Sequence, residues 1–453
     1  MERESTWVSD QNVSLVTDLY QLTMLQAYWR EGMDGEATFS LYSRRLPEHR
    51  NFMLACGLDD VLHYLETLHF SPDGLEYLAG LGSFSSDFLS WLGGFRFRGE
   101  VRAVPEGTPV FPQEPLLEVT ASLPEAQVVE TFIMNQVHFQ TVAASKAVRV
   151  VEAAGGRTVV DFGLRRIHGV DAGLKGARAF YVGGVAATSN VLAGQVYGIP
   201  VSGTMAHSYI QAHPHEESAF RAFTALYPDS TLLVDTYDTL EGVRKVVRLH
   251  QELGDEFRVR GIRLDSGDLA TLAREARAIL DEGGLEKVKI FASGGLDELS
   301  VEQMVEAGAP VDGFGVGTRM SVSADAPSLD MAYKLISYDG EGRLKLSRGK
   351  GILPGRKQVF RQEGEGGVFR DVVARNGEEV PGRPLLRTVM REGRRLPEGQ
   401  VPLEAIREYA TREVAALPPR IRSLVPADPP FPVEISRELL AYQNAVAERF
   451  SSG

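Results

Sequence analysis

The stretch Gly261-Ile262-Arg263-Leu264-Asp265-Ser266-Gly267-Asp268-Leu269-Ala270-Thr271-Leu272-Ala273 reads as a short buried strand, a polar turn and the start of a helix. Leu269, Leu272, Ala273, Ala276, Ile279 and Leu280 recur at helical spacing and predict a helix that buries one stripe against a sheet. Asp268 suits its N-cap, because a short carboxylate can accept the unpaired N–H groups of the first turn. The same rhythm of apolar run, polar or glycine turn and amphipathic helix recurs from about residue 158 to 320. Its other apolar runs are Thr158-Val159-Val160, Val185-Ala186-Ala187, Pro200-Val201-Ser202, Leu232-Leu233-Val234, Lys289-Ile290-Phe291-Ala292 and Gly313-Phe314-Gly315-Val316. Together they predict an α/β fold, with the βα pattern of a parallel sheet or barrel and seven candidate strands, one short of a regular eight-stranded barrel.

Each run ends in residues with chemistry. Asp161-Phe162-Gly163, Thr204 with His207, Asp235-Thr236, Asp265-Ser266-Gly267-Asp268, Ser293-Gly294-Gly295 and Gly317-Thr318-Arg319 all come directly after strands. In parallel α/β folds ligands sit at the carboxyl ends of strands, so these segments are expected to converge on one site. That convergence is the main residue-level argument for an enzyme.

Outside this region the rhythm is lost. A helix is expected from Tyr20 to Trp29, an alternating strand over Ala37-Thr38-Phe39-Ser40-Leu41-Tyr42, and proline-rich strands near Val101 and Thr120. Residues 340–453 carry Gly/Arg/Lys-rich, hairpin-like segments, a helix from about Leu403 to Ala415 and a proline-rich stretch at 418–432. Residues 1–140 thus read as a separate α+β layer, and 339–453 as segments that can complete that layer in place of a third domain, on either side of the βα region at 141–338. With 453 residues, 43% hydrophobic and 24% charged, the chain suits more than one packed core.

The net charge of −13 repels polyanions, so nucleic acid is not an expected partner and any phosphate must be gripped locally. The single cysteine, Cys56, allows no intramolecular disulfide and no multi-cysteine metal site; it reads as core filler and fits a reducing cytoplasm. The opening MERESTWVSDQN lacks an apolar run after a basic start, and no long apolar stretch comes later, so neither secretion nor membrane spanning is expected.

The turn motifs suggest a ligand. Ser293-Gly294-Gly295 and Gly315-Val316-Gly317-Thr318 each join a strand to a helix, where glycine lets backbone N–H groups approach a phosphate and the helix N-terminus favours negative charge. Arg263 and Asp265 place a cation and a carboxylate at one strand end, suited to phosphate on one side and ribose hydroxyls or hydrated Mg²⁺ on the other. Asp161-Phe162-Gly163-Leu164-Arg165-Arg166 joins a flat ring to guanidinium groups that can stack on a planar base and pair with a carboxylate. The DFG triplet also occurs in kinases, but their HRD loop and upstream glycine loop are missing. His207 could be base, metal ligand or phosphoryl acceptor. His213 and His215 raise the option of a metal-dependent hydrolase or aldolase, although spacings of six and two on a loop match no ligand pattern; His213-Pro214-His215 reads better as a helix entry. Thr17-Asp18 reads as an ordinary helix cap.

Taken together, the segments at 17–24, 39–47, 161–166, 203–208 and 264–268, with the two glycine loops, resemble the nicotinate phosphoribosyltransferase family along most of the chain. The resemblance implies an irregular TIM-like, seven-stranded α/β barrel at 141–338 with a smaller α+β domain formed from both termini (1–140 and 339–453), and it implies that Phe162 and Tyr20 sandwich a pyridine ring, Tyr20 reaching in from the partner subunit of a homodimer with shared active sites. It places Arg165 near the ring and ribosyl phosphate, Arg263 and Asp265 on the phosphoribosyl group, and Ser293, Gly294, Gly295, Gly315, Gly317 and Thr318 around its 5′-phosphate. Arg44 matches a position that binds phosphate across the dimer, with Arg45 an alternative register. Thr188 and Ser189 lie where the family reads the pyridine substituent, and a neutral hydroxyl there favours nicotinate over nicotinamide. His207 matches a histidine that is phosphorylated when ATP hydrolysis is coupled to transfer. The implied partners are nicotinate, 5-phosphoribosyl 1-pyrophosphate and ATP as co-substrate, with Mg²⁺ accompanying the substrate on ligands that are not specified; the cysteine zinc knuckle of some relatives is ruled out by composition, so no zinc is expected. The rival readings are a nicotinamide or quinolinate phosphoribosyltransferase and a non-catalytic phosphosugar sensor.

Overall fold

The computed structural model describes residues 7–346 and 352–451. The first six residues of the stretch read against a leader, and 347–351 within the Gly/Arg/Lys-rich stretch, lie outside the described residues. The chain divides into two compact units, one of 1–142 with 328–453 and one of 143–327. The unit built from both termini was expected to be the smaller; it holds more of the chain, and three of the four sheets among the described residues.

In the 143–327 unit a parallel sheet runs in the order Ala187–Thr188, Thr158–Asp161, Gly313–Val316, Lys289–Ser293, Gly261–Leu264, Thr231–Leu233. A single parallel bridge, Thr188 to Val201, adds the Pro200-Val201-Ser202 segment at one edge. Seven strand segments are therefore present, six as strands of one sheet and the seventh as a single bridge, and among the described residues no pairing joins Thr231–Leu233 to Val201. The two weakest segments have a local cause. The turn through Gly183 and Gly184 carries the chain past Val185, and Pro200 has no N–H to give a ladder.

The strands are nearly all apolar and their centres are buried, with Val159, Ile262, Leu264, Ile290, Ala292, Phe314 and Val316 in the core. That is what a sheet covered on its faces by helices requires. The helix expected after Asp268 runs Leu269–Glu282; it buries Leu269, Ala273, Ala276 and Leu280, and Asp268 accepts from the Thr271 N–H at 3.2 Å.

In the other unit an antiparallel seven-stranded sheet takes its central strands, Glu36–Ser43, Pro115–Ser122 and Glu100–Ala103, from the N-terminal part. Met331–Tyr338 and Arg387–Arg391 flank them from the C-terminal part, so both ends of the chain share one sheet. Trp29, Phe88, Trp91 and Phe95 form an aromatic cluster on it, with ring centroids 5.7–5.9 Å apart between Phe88 and its tryptophan neighbours. The expected early helix runs Leu19–Glu31 and the C-terminal one Leu403–Ala416. Cys56 is buried. Among the described residues no helix is long and apolar enough to cross a membrane.

Candidate active site

The carboxyl ends of the parallel strands carry a bonded network. Asp265, just past Gly261–Leu264, accepts the Ser293 hydroxyl from the neighbouring strand end. Its backbone N–H donates to Asp235 at 2.9 Å, and Ser266 donates its hydroxyl to the same Asp235 oxygen at 2.7 Å. The second Asp235 oxygen, Oδ1, is buried without a hydrogen-bond partner. His207 opens the short helix His207–Gln211 and stands over this group. Its Nδ1 lies 3.1 Å from the Thr236 hydroxyl and its Nε2 3.9 Å from Asp265 Oδ2, with the imidazole 39% exposed. A histidine held on one nitrogen, beside a carboxylate and open to solvent on the other, suits the transfer of a group to or from a ligand.

Arg263 points from the same strand toward the site. Its Nη2 donates to the Met205 carbonyl at 3.0 Å, two residues before His207, and its Nε is buried without a partner. Burial pulls the guanidinium below its ordinary value; Asp265 and Asp235 counter this, and Arg165 adds to it. The group remains cationic, since arginine starts so far above neutrality. Its carbon lies 5.9 Å from the centroid of the Phe162 ring, a cation–π contact.

Phe162 comes directly after Thr158–Asp161 and rests on Gly315, where an added Cβ would stand 2.5 Å from two ring atoms. Gly315 therefore lies inside the strand Gly313–Val316 as the seat of the ring, one layer beneath the loop. Asp161 is buried, and burial raises its carboxyl above the ordinary range against the opposing donations of the Gly163 N–H and the Thr188 hydroxyl, both at 2.8 Å. Thr188, expected at the pyridine substituent, is itself buried with its hydroxyl given to Asp161. Ser189 beside it is partly exposed. Arg165 and Arg166 are exposed; Arg166 donates to the Thr318 hydroxyl at 3.1 Å.

The glycine loops each lead from a strand end into a helix. Gly294 and Gly295 are exposed with φ of +94° and +67°, and Gly294 passes so close to Asp265 that a Cβ would stand 1.8 Å from its carbonyl oxygen. Asp297 caps the next helix, Glu298–Glu306, in a reciprocal box with Ser300 and accepts from Arg319 at 2.7 Å. Gly317 and Thr318 open the short helix Thr318–Ser321.

His213 holds the Tyr209 carbonyl at 2.9 Å, and His215 stands at the N-cap of Glu216–Leu226. No group of three or more histidine, cysteine or carboxylate residues is placed to hold a metal ion among the described residues. The sequence had put Asp235 and Thr236 at a strand end without a role, although that position was the signal that could have assigned one.

Tyr20 and Arg44 belong to the other unit. Tyr20, on Leu19–Glu31, is 49% exposed, and burial, Glu130 and Asp18 raise its hydroxyl above the ordinary value. Arg44 and Arg45 both pair with Asp330, at 2.9 and 3.1 Å. Asp18 sits at the N-cap, as expected, but its carboxylate accepts the Thr131 hydroxyl rather than a helix N–H.

The fold and this rim define an α/β protein with two glycine loops and a carboxylate–histidine pair at the carboxyl ends of a parallel sheet. Residues 15–138 match the model of the nicotinate phosphoribosyltransferase N-terminal domain, and 158–350 that of the nicotinate phosphoribosyltransferase family. The chain is 53% identical to nicotinate phosphoribosyltransferase pncB2 of Mycobacterium tuberculosis over 94% of its own length and 92% of that protein's. It is 41% identical to nicotinate phosphoribosyltransferase of Bacillus subtilis over 78% and 74%. The structure of human nicotinic acid phosphoribosyltransferase superposes with a TM-score of 0.84 at 30% identity, covering 95% of this chain and 99% of that one. The chain belongs to the nicotinate phosphoribosyltransferase family.

Proposed function

We propose that this chain is an enzyme of NAD salvage that joins nicotinate to 5-phosphoribosyl 1-pyrophosphate, giving nicotinate mononucleotide and pyrophosphate. ATP hydrolysis is coupled to the transfer through phosphorylation of His207. The observation that carries the reading is the rim network, where adjoining strand ends bring His207, Arg263, Asp265 and Ser293 together beside the Phe162 ring.

The Phe162 face stacks on the pyridine, seated by Gly315, and Tyr20 of a second subunit closes the other face in a homodimer. Ser293, Gly294, Gly295, Gly317 and Thr318 hold the 5′-phosphate, with Arg165 and, across the dimer, Arg44 of the partner subunit as further cations. Ser189 meets the pyridine carboxylate, while Thr188 acts by holding Asp161. The seven strand segments correspond to an irregular barrel around this site.

The ring nitrogen already carries a lone pair, so no general base is needed. It attacks the anomeric carbon of the ribose as the bond to pyrophosphate breaks. Arg263, desolvated and paired to a backbone carbonyl, can turn toward the developing phosphate charge. ATP transfers its terminal phosphoryl group to an imidazole nitrogen of His207, and water later releases it as phosphate. The added charge beside Asp265 changes how the site holds its ligands, which links ATP hydrolysis to transfer. The oxygen donors fit Mg²⁺: Asp235 Oδ1 is buried and unpaired, and the Asp265 carboxylate is partly exposed beside it. The ion, when bound with substrate, would neutralise charge on the pyrophosphate. The reading places the protein in the cytoplasm.

Purified protein incubated with nicotinate and 5-phosphoribosyl 1-pyrophosphate, with and without ATP, should form the mononucleotide. No product under either condition would remove the proposal, and competition with nicotinamide and quinolinate fixes the ring chosen.

A further inference from the structure

Beneath the two glycine loops lies a cluster of four charged residues. Lys146 and Arg149, on the long helix Glu130–Ala153, both bond Glu298: Lys146 Nζ to one carboxylate oxygen and Arg149 Nε to the other at 3.1 Å. Lys146 also donates to Asp325 at 2.7 Å. Lys146, Arg149 and Glu298 are buried.

The sequence positions of the two acceptors matter. Glu298 is the first residue of the helix that leaves the 293–297 loop, and Asp325 comes after the helix Thr318–Ser321 that leaves the second loop. One ammonium thus bonds the segment behind each loop. We infer that Lys146 is a positioning residue that sets the spacing of the two phosphate loops, and that it acts without touching the ligand. This rests on the reading of those loops as the 5′-phosphate site.

Three features support it. Lys146 is 2% exposed, so its ammonium has no route to a bound phosphate. A buried ion cluster adds little to stability over apolar residues of the same shape, whereas its directional bonds specify one arrangement. The 293–297 loop is pinned elsewhere as well, by Ser293 on Asp265 and by the exposed Arg319 of the second loop on Asp297, and Lys146 adds the buried tether between the segments behind the two loops. Phosphate loops bind through N–H groups at fixed spacing, so a change of spacing acts on phosphate affinity before it acts on the chemical step.

Lys146→Met keeps the side-chain length and removes the charge. It is expected to raise KM for 5-phosphoribosyl 1-pyrophosphate and Kd for nicotinate mononucleotide by about tenfold, the scale of a sub-ångström loss of alignment, with kcat and KM for nicotinate within about threefold of wild type. A purely structural lysine would lower the thermal midpoint and leave that KM-against-kcat split absent, which overturns the inference. If Lys146→Met does not fold, Asp325→Ala removes the acceptor behind the second loop; an unchanged KM for the phosphoribosyl substrate in that folded variant also overturns it. Wild type is titrated in parallel. If it fails to saturate with 5-phosphoribosyl 1-pyrophosphate, the functional reading falls and takes this inference with it; if it saturates and the variants match it, this inference alone falls.

Discussion

Gly294 and Gly295 are neighbours with the same side chain and both have positive φ, yet the structure predicts different outcomes when each becomes alanine. At Gly295 a Cβ meets nothing within 4 Å, so Gly295→Ala carries only the left-handed strain at φ +67°, about 1–2 kcal/mol. At Gly294 the Cβ would sit 1.8 Å from the Asp265 carbonyl oxygen, and real contacts are essentially never under 3.0 Å, so backbone on one side must shift by 1.2 Å, the difference of the two. Neither partner is a flexible side-chain end. Asp265 is held through its backbone by Asp235 and directly follows a strand paired on both sides, whereas Gly294 is exposed, so the 293–297 loop is the side that yields. A misplacement of about 1 Å costs about a hundredfold in rate, or about 2.7 kcal/mol, when the moved groups hold the substrate. Gly294→Ala should therefore lose about a hundredfold in kcat/KM for 5-phosphoribosyl 1-pyrophosphate. Gly295→Ala should show mainly a lower thermal midpoint. Steady-state kinetics with that substrate varied, beside circular-dichroism melts of both variants, measure the contrast. A folded Gly294→Ala enzyme within twofold of wild type would refute the reasoning.

Gly315→Ala should push the Phe162 ring off its seat and raise KM for nicotinate about fivefold, the loss of roughly 1 kcal/mol of stacking; an unchanged value would mean the ring does not face the pyridine. His207→Ala should abolish ATP hydrolysis and its coupling while leaving some uncoupled transfer, and ATPase activity equal to wild type would show the role is misassigned. Glu114 tests the other unit. Burial, and then the neighbouring charge of Asp371, hold its carboxyl well above the ordinary glutamate value despite Arg361. Its contribution to stability is thus complete below that ordinary value and is lost as pH rises through the folded one. Glu114→Gln stays neutral and can still accept from the Phe111 N–H, so its stability relative to wild type should improve between about pH 5 and about pH 8. Denaturant titrations giving the same difference at both pH values would contradict this.

How much of this was visible in the chain depends on how local the cause is. The helix after Asp268 was legible because its cap and apolar stripe lie within one contiguous stretch. The strand ends were legible for a related reason: a covered parallel strand is a short apolar run, and the residues just past it must face the carboxyl rim. Motif chemistry also pointed to the glycine loops, and a resemblance spread over distant segments pointed to the family. The edge of the terminal unit was not legible, and Met331–Tyr338 was left with the βα region, because its pairing with Glu36–Ser43 spans a gap that no local pattern reports.

His207, Asp265, Arg263 and the glycine loops could be named from sequence as residues at strand ends. Only the folded chain decided which groups they meet, because hydrogen bonds across a parallel sheet join residues far apart in sequence. Thr236 holds the His207 imidazole, Asp235 holds the Asp265 backbone, and Thr188 spends its hydroxyl on Asp161. Lys146 is the extreme case: within its own helix it reads as one more surface cation, and its burial between Glu298 and Asp325 exists only once three distant segments have packed.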